Sequence, residues 1–245
     1  IPHRVDEGYG VNCDALATLA GAGARLVITV DCGIRSVAEI AFGQRQGLDL
    51  IVTDHHTIGP QLPAALACIN PRRQDSRYPF RELSGVGVAF KLAQALLRAQ
   101  GERSSTGAAA KEIEEKLLDL VALGTVADLV PLAGENRALV KRGLDKLNRP
   151  TRPGLQALIS NADLKPGRIT ATHIGFMLAP RLNAAGRLAS ADLAYDLLMA
   201  EDCSAAGRLA YNLGQLNRQR QRLTGEAFDQ AQARLAAVER LPDLV

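Results

Sequence analysis

Tryptophan is absent from this 245-residue chain, and phenylalanine and tyrosine bring the aromatic share only to 4%. A surface that grips single strands by stacking many bases on aromatic platforms therefore finds little support here, and any hold on a nucleic acid should fall mainly on its phosphates. Cysteine is sparse as well. Cys13, Cys32, Cys68 and Cys203 are scattered without a CxxC pair, which argues against a structural zinc site and against a disulfide framework. They read as small packing residues, Cys32 included although it follows an acidic strand end. No uninterrupted apolar run reaches the roughly 18 residues of a membrane span, and no basic segment leads into an apolar stretch and cleavage site, so the expected compartment is the cytoplasm, away from any membrane. The net charge of +3 is too small to identify a polyanionic partner, although a local basic face is compatible with it.

What is present is an ordinary globular composition, 47% hydrophobic, enough to bury a substantial core in one large domain or two smaller ones. The first part alternates helical and strand patterns: helix over 12–22, strand over 25–31, helix over 36–46, strand over 49–53 and a short strand over 67–70 that Pro71 ends. Continuous Val and Ile runs separated by helices predict α/β architecture, a mostly parallel sheet flanked by helices on both faces. In such a sheet ligands sit at the carboxyl ends of the strands, and Asp31 and Asp54 both fall at such ends.

From Ser84 onward the pattern is helical, with spans at 88–98, 108–123, 135–147, 154–160 and 171–178 around a polar loop at 101–106. Residues 124–131 are expected to interrupt the helices and to place Asp128 alone in an apolar run, where a metal, a base or a cap must satisfy its carboxylate. Ser204 is a suitable N-cap for one long helix to about residue 238, with Leu209, Leu213, Leu216 and Leu223 as a narrow apolar stripe.

The chemistry concentrates in a few motifs. Thr53-Asp54-His55-His56 puts an acid and two imidazoles directly after a strand, a donor set that suits a first-row divalent ion; on the tripeptide alone, a capping Asp54 with surface histidines is the competing reading. Ser84-Gly85-Val86-Gly87 offers a tight helix start whose free N–H groups could hold phosphate, although spacing favours a close helix contact. Ala179–Leu188 carries Arg181, Asn183 and Arg187 among small residues, which makes either a surface that backbone phosphates could approach or a solvated loop between helices.

In this order and at these intervals, Val30-Asp31-Cys32-Gly33, Thr53-Asp54-His55-His56, Ser84-Gly85-Val86-Gly87-Val88-Ala89-Phe90-Lys91, Gly124-Thr125-Val126-Ala127-Asp128 and Ala179–Leu188 closely resemble the DHH phosphoesterase superfamily, specifically its RecJ-type single-strand-specific DNA exonucleases. The likeness extends from Ile1-Pro2-His3-Arg4 to Leu216-Asn217-Arg218-Gln219-Arg220-Gln221. It implies a two-metal phosphodiesterase that removes nucleotides from the 5′ end of single-stranded DNA, using manganese or magnesium, in DNA repair and recombination. Single-strand-binding protein and a helicase are partners implied in the same way. Carried over by position, Asp31 matches the acid that joins the two metals, His55 an imidazole ligand and Asp128 the acid of the later metal motif. Asp54 and His56 match residues that orient the site and contact the scissile phosphate or its water, and Arg181, Asn183 and Arg187 match a segment near the substrate path. Two alternatives stay open: a related phosphodiesterase acting on short oligonucleotides or cyclic dinucleotides, and a DNA-binding relative without catalysis.

The resemblance also implies an Asp-x-Asp motif upstream of Ile1 and a phosphate-gripping domain beyond the long helix. The expected organisation is thus a DHH core over residues 1–200, without its first strand, and a connecting helix over 201–245. Such a chain on its own is expected to bind metal weakly and to show little nuclease activity. The physical logic is consistent: two divalent ions about 3.5–4 Å apart lower the pKa of water and stabilise the attacking and leaving oxygens together, so no serine or cysteine nucleophile is required.

Overall fold

The structure is a computed structural model and describes residues 1, 8–103 and 107–236. Its N-terminal part is a three-stranded parallel sheet in the order β1 (Leu26–Val30), β2 (Asp49–Thr53), β3 (Ala67–Ile69). Leu26 pairs with Asp49 and Val30 with Thr53, while Ile51 to Thr53 pair with Ala67 to Ile69, so the three strands finish side by side. The apolar runs explain this. Leu50 and Val52 of the central strand are fully buried, packing with Leu16 of α1 (Cys13–Gly21) and Ile40 of α2 (Val37–Arg45). Asn12 caps α1 by accepting from the Ala15 N–H at 2.7 Å. The mixed α/β architecture read from the sequence is present, but cover is uneven: the row Leu26, Ile28 and Val30 on β1 is 51, 42 and 53% exposed.

The remainder is helical: α3 (Gly85–Arg103), α4 (Gly107–Ala127), α5 (Gly134–Leu147), α6 (Pro153–Asn161), a short α7 (Ala171–His173), α8 (Ala179–Leu188), α9 (Asp192–Met199) and α10 (Cys203–Ala236). Leu83, Val88, Leu118, Val121 and Leu139 join α3, α4 and α5, while Leu147, Leu155, Leu158, Ile174, Leu178, Leu197 and Leu213 form the core of the later helices. Among the described residues no helix is long and apolar enough to cross a membrane.

Three departures from the sequence expectation have clear causes. Residues 124–127 do not interrupt the helices; they are the last turn of α4, because Gly124 there leaves room for Val86, whose Cγ1 would lie 2.8 Å from a Cβ at that position. The helix stops only afterwards, where Leu129 turns to φ +60°. Ala179–Leu188 is a helix, which removes the loop that stood as one of its two readings: a π-helical turn at Ile174–Leu178 precedes it, and the wider turn accommodates Pro180 at the start of α8 without breaking the rod. In α10, Leu209, Leu213 and Leu216 of the expected stripe pack on the core beside the buried Ala206, Ala210 and Asn217, while Leu223 departs from it at 42% exposed. Its cap is Asp202, whose carboxylate accepts from the Ala205 N–H at 2.6 Å. Ser204 instead accepts from Arg208. The expected continuation of this helix to residue 238, the loop residues 104–106 and the segment Pro2-His3-Arg4 lie outside the described residues.

Candidate metal centre

Parallel pairing of β1 with β2 sets Asp31 and Asp54 at neighbouring strand ends, and the ladder continues past both: the Asp31 N–H donates to Thr53 O and the Asp54 N–H to Ile69 O, each at 3.0 Å. Asp31 leaves its strand at φ +63°, a left-handed turn that aspartate tolerates better than bulkier residues and that swings its carboxylate over the sheet edge. There it meets His55. The Nε2 of His55 lies 3.0 Å from Asp31 Oδ1 and 3.3 Å from Asp128 Oδ2, which descends from the end of α4.

These approaches are close but do not have hydrogen-bond geometry. Asp31 Oδ1 and both ring nitrogens of His55 are buried with no hydrogen-bond partner. Buried polar atoms are costly to leave unpaired, and a divalent cation would satisfy Asp31 Oδ1 and His55 Nε2 together, since a carboxylate and the lone-pair nitrogen of a neutral imidazole can be directed at a shared centre. One donor atom each from Asp31, His55 and His56 can be chosen so that all lie within 4.8 Å of one another. The residues present thus fit a metal ion. Electrostatics agree: the Asp31 carboxylate raises the His55 pKa against the opposing effect of burial, with Asp128 adding to it, so the pocket strongly favours positive charge at this point.

Asp54 does something different. It is 2% exposed and its oxygens are used inside the protein: Oδ2 accepts from the Ile34 N–H at 3.0 Å, and Oδ1 from the N–H of His55 at 2.7 Å, the N–H of His56 at 3.1 Å and the His56 ring at 2.7 Å. Burial alone would raise its pKa, yet these bonds together hold it below the usual carboxylate value. An ionised carboxylate only accepts, so His56 Nδ1 donates to Asp54, which leaves Nε2 as the ring nitrogen not engaged by Asp54.

The opposite wall is the start of α3. Ser84 Oγ accepts from the Gly87 N–H at 3.1 Å and lies 2.9 Å from Thr125 Oγ1 on α4, both hydroxyls fully buried. This joins the start of α3 to the end of α4 and brings the Gly85 N–H to 3.4 Å from Asp128 Oδ2. Asn136 adds a clasp, donating to Glu82 O at 2.5 Å and to Pro131 O at 3.0 Å. The serine and glycines serve close contact between elements.

A model of the DHH family, N-terminal domain, matches residues 1–125, just over half of the chain. The chain belongs to the DHH family. Within that family it is 46% identical to the single-stranded-DNA-specific exonuclease RecJ of Bacillus subtilis strain 168 over 231 residues, 94% of this chain and 28% of that protein. A crystal structure of exonuclease RecJ bound to manganese aligns with a TM-score of 0.79 at 37% identity, covering 94% of this chain and 56% of the other. RecJ from Thermus thermophilus in complex with Mn2+ aligns at 0.75 and 34% identity, covering 89% and 31%. The chain thus spans less than a third of the Bacillus relative's length.

The DHH centre gathers Asp31, Asp54, His55, His56 and Asp128, all five residues singled out at the start. The three residues of α8 are divided. Asn183 and Arg187 are exposed, one helical turn apart. Arg181 is turned inward, its guanidinium reaching Met177 O at 2.7 Å, Asn161 Oδ1 at 3.3 Å and Asn161 O at 3.5 Å, and burial lowers its pKa. It ties α8 to α6. Gly186 and Ala189 face Asp31 and Cys32 across a cleft of about 270 Å3, which brings the end of α8 toward the metal centre. A second cleft of about 440 Å3 has Asp54 and His56 in its wall and Arg35 at its rim. Arg35 is exposed, and its guanidinium has no ion pair or hydrogen bond among the described residues. The sequence offered no periodic signal for Arg35, since its relevance comes from lying across the sheet edge from His56.

Proposed function

We propose that this chain forms the catalytic core of a metal-dependent exonuclease that hydrolyses single-stranded DNA from its 5′ end with Mn2+ or Mg2+. The observation that carries the reading is His55 Nε2 lying between the carboxylates of Asp31 and Asp128 with its hydrogen-bonding capacity unspent. RecJ relatives named for single-stranded DNA, two of them in manganese-bound structures, support the substrate and the metal. Asp31, His55 and Asp128 are assigned as metal ligands. His56 is assigned to present Nε2 to the scissile phosphate or its water, while Asp54 holds the turn that carries both imidazoles. When bound, divalent ions supply charge neutralisation and a more acidic water. Arg187 and Asn183 on one side and Arg35 on the other are assigned to strand phosphates, while Arg181 supports α8 from within.

Residues 1–200 are assigned to the DHH core and the long helix α10 to a connecting role. A role in repair and recombination, with single-strand-binding protein and a helicase as partners, in the cytoplasm, belongs to the same reading.

The test is to assay the full-length protein on 5′-labelled single strands, the matching duplex and a dinucleotide, with Mn2+ and with chelator. Metal-dependent release of mononucleotides from the single strand, abolished by Asp31→Ala, is expected. Preference for the dinucleotide would shift the assignment to small phosphodiesters, and near-normal Asp31→Ala rates in saturating Mn2+ would remove Asp31 from the metal centre.

A further inference from the structure

The imidazole of His55 makes no hydrogen bond, so its direction depends on packing and on the backbone that carries it. That backbone is held from two sides. Asp54 takes the N–H groups of His55 and His56. On the far side, Asn70 donates its Nδ2 to the carbonyl of His56 at 3.0 Å.

Asn70 directly follows β3 and is 4% exposed. Its Oδ1 accepts from the Arg72 N–H at 2.8 Å, bridging Pro71, which has no N–H to give. Both partners fix the orientation of the amide: a backbone N–H needs the oxygen and a backbone carbonyl needs the nitrogen. Arg72 in turn pairs with Glu82 at 2.8 Å, just before the Ser84–Gly85 wall. Asn70 thus joins the strand end to the histidine turn, and the neighbouring Arg72 continues the connection to the segment before the facing wall.

We propose that Asn70 is a positioning residue for the metal centre, fixing the His56 carbonyl and through it the placement of both imidazoles. The inference rests on the metal-centre reading above. Partners that orient metal ligands are worth about 10–100-fold in affinity or activity in known sites.

The test compares the full-length protein with Asn70→Asp and Asn70→Ser. Asn70→Asp keeps the size and the acceptor for Arg72 but turns an oxygen toward the His56 carbonyl; Asn70→Ser cannot span both partners. Mn2+ affinity by calorimetry, metal-free melting temperature, histidine ring signals by NMR, and kcat and KM on a single strand are measured for each. The expected result is a folded variant with Mn2+ affinity about 10–100-fold weaker, shifted His55 and His56 ring signals, and a fall in kcat with little change in KM. A folded variant with wild-type Mn2+ affinity overturns the proposal, as does failure of both variants to fold, which would make Asn70 a stability residue. If the wild type itself binds no Mn2+, the metal-centre reading fails instead.

Discussion

The carboxylate of Asp31 rests directly on the backbone of Gly85: a Cβ at position 85 would lie 2.2 Å from Asp31 Oδ1 and 2.4 Å from its Cγ. Glycine is required there by contact. Gly85→Ala, at the first turn of α3, should leave the helix intact but push the carboxylate off its place opposite His55. Mn2+ affinity is expected to fall at least about tenfold, and the metal-free melting temperature to fall as well, since the Asp31 Cβ would also lie 2.7 Å away and the strand end must shift. Unchanged affinity in a calorimetric titration would mean that the placement of Asp31 against Gly85 does not matter to the centre.

Arg35, without an ion pair among the described residues, stands at the rim of the cleft that holds His56. Arg35→Ala should weaken single-strand binding uniformly across sequences and lower the slope of log affinity against log salt by about 0.7, the single-strand value for one phosphate contact. Turnover at saturating DNA should hold. A salt series of binding isotherms checks this, and an unaltered slope would place the strand elsewhere.

Packing among the later helices is tightest at Gly154, where a Cβ would lie 1.7 Å from Leu197 O of α9. Because that contact is backbone, no side chain can rotate away. Gly154→Ala should cost about 1–3 kcal/mol or more. Urea unfolding reads the loss directly, and a neutral result would mean that α9 shifts freely against α6.

Burial raises the pKa of Asp119 despite Arg152, whose Nε lies 3.1 Å from Oδ2, and despite the Leu120 N–H at 2.7 Å. For a carboxyl whose folded pKa lies above its unfolded value, the linked stability is fully present below the unfolded value. It is lost as pH rises through the folded one. Relative to Asp119→Asn, the wild type should therefore gain stability on acidification from about pH 7 toward about pH 4. Melting curves of both proteins across that range test the sign, and a wild type that loses stability relative to Asp119→Asn on acidification contradicts it.

Much of the centre was legible in the chain. Asp31 and Asp54 stand out because each ends a continuous apolar run, and parallel strands bring such ends together. Asp128 stands out because an acid among Val, Ala and Leu needs a partner. The misread segments share one cause: Gly124 and Pro180 are breakers by local propensity, but the Val86 contact and the π-helical turn overrule them. Arg181, read as a surface cation, is spent on Met177 and Asn161, partners set by the packing of α8 on α6.

By itself the sequence determined the alternating strand and helix plan, the DHH membership and the five acids and imidazoles proposed for the centre, since these depend on residue type and short spacing. Tertiary structure alone decided which atoms converge and what keeps them there. Gly85 against Asp31, Ser84 against Thr125, Asn136 across two carbonyls and Asn70 beneath His56 are pairings between distant segments. Their strength lies in sub-ångström fit and in desolvated hydrogen bonds, which arise only once the elements have packed.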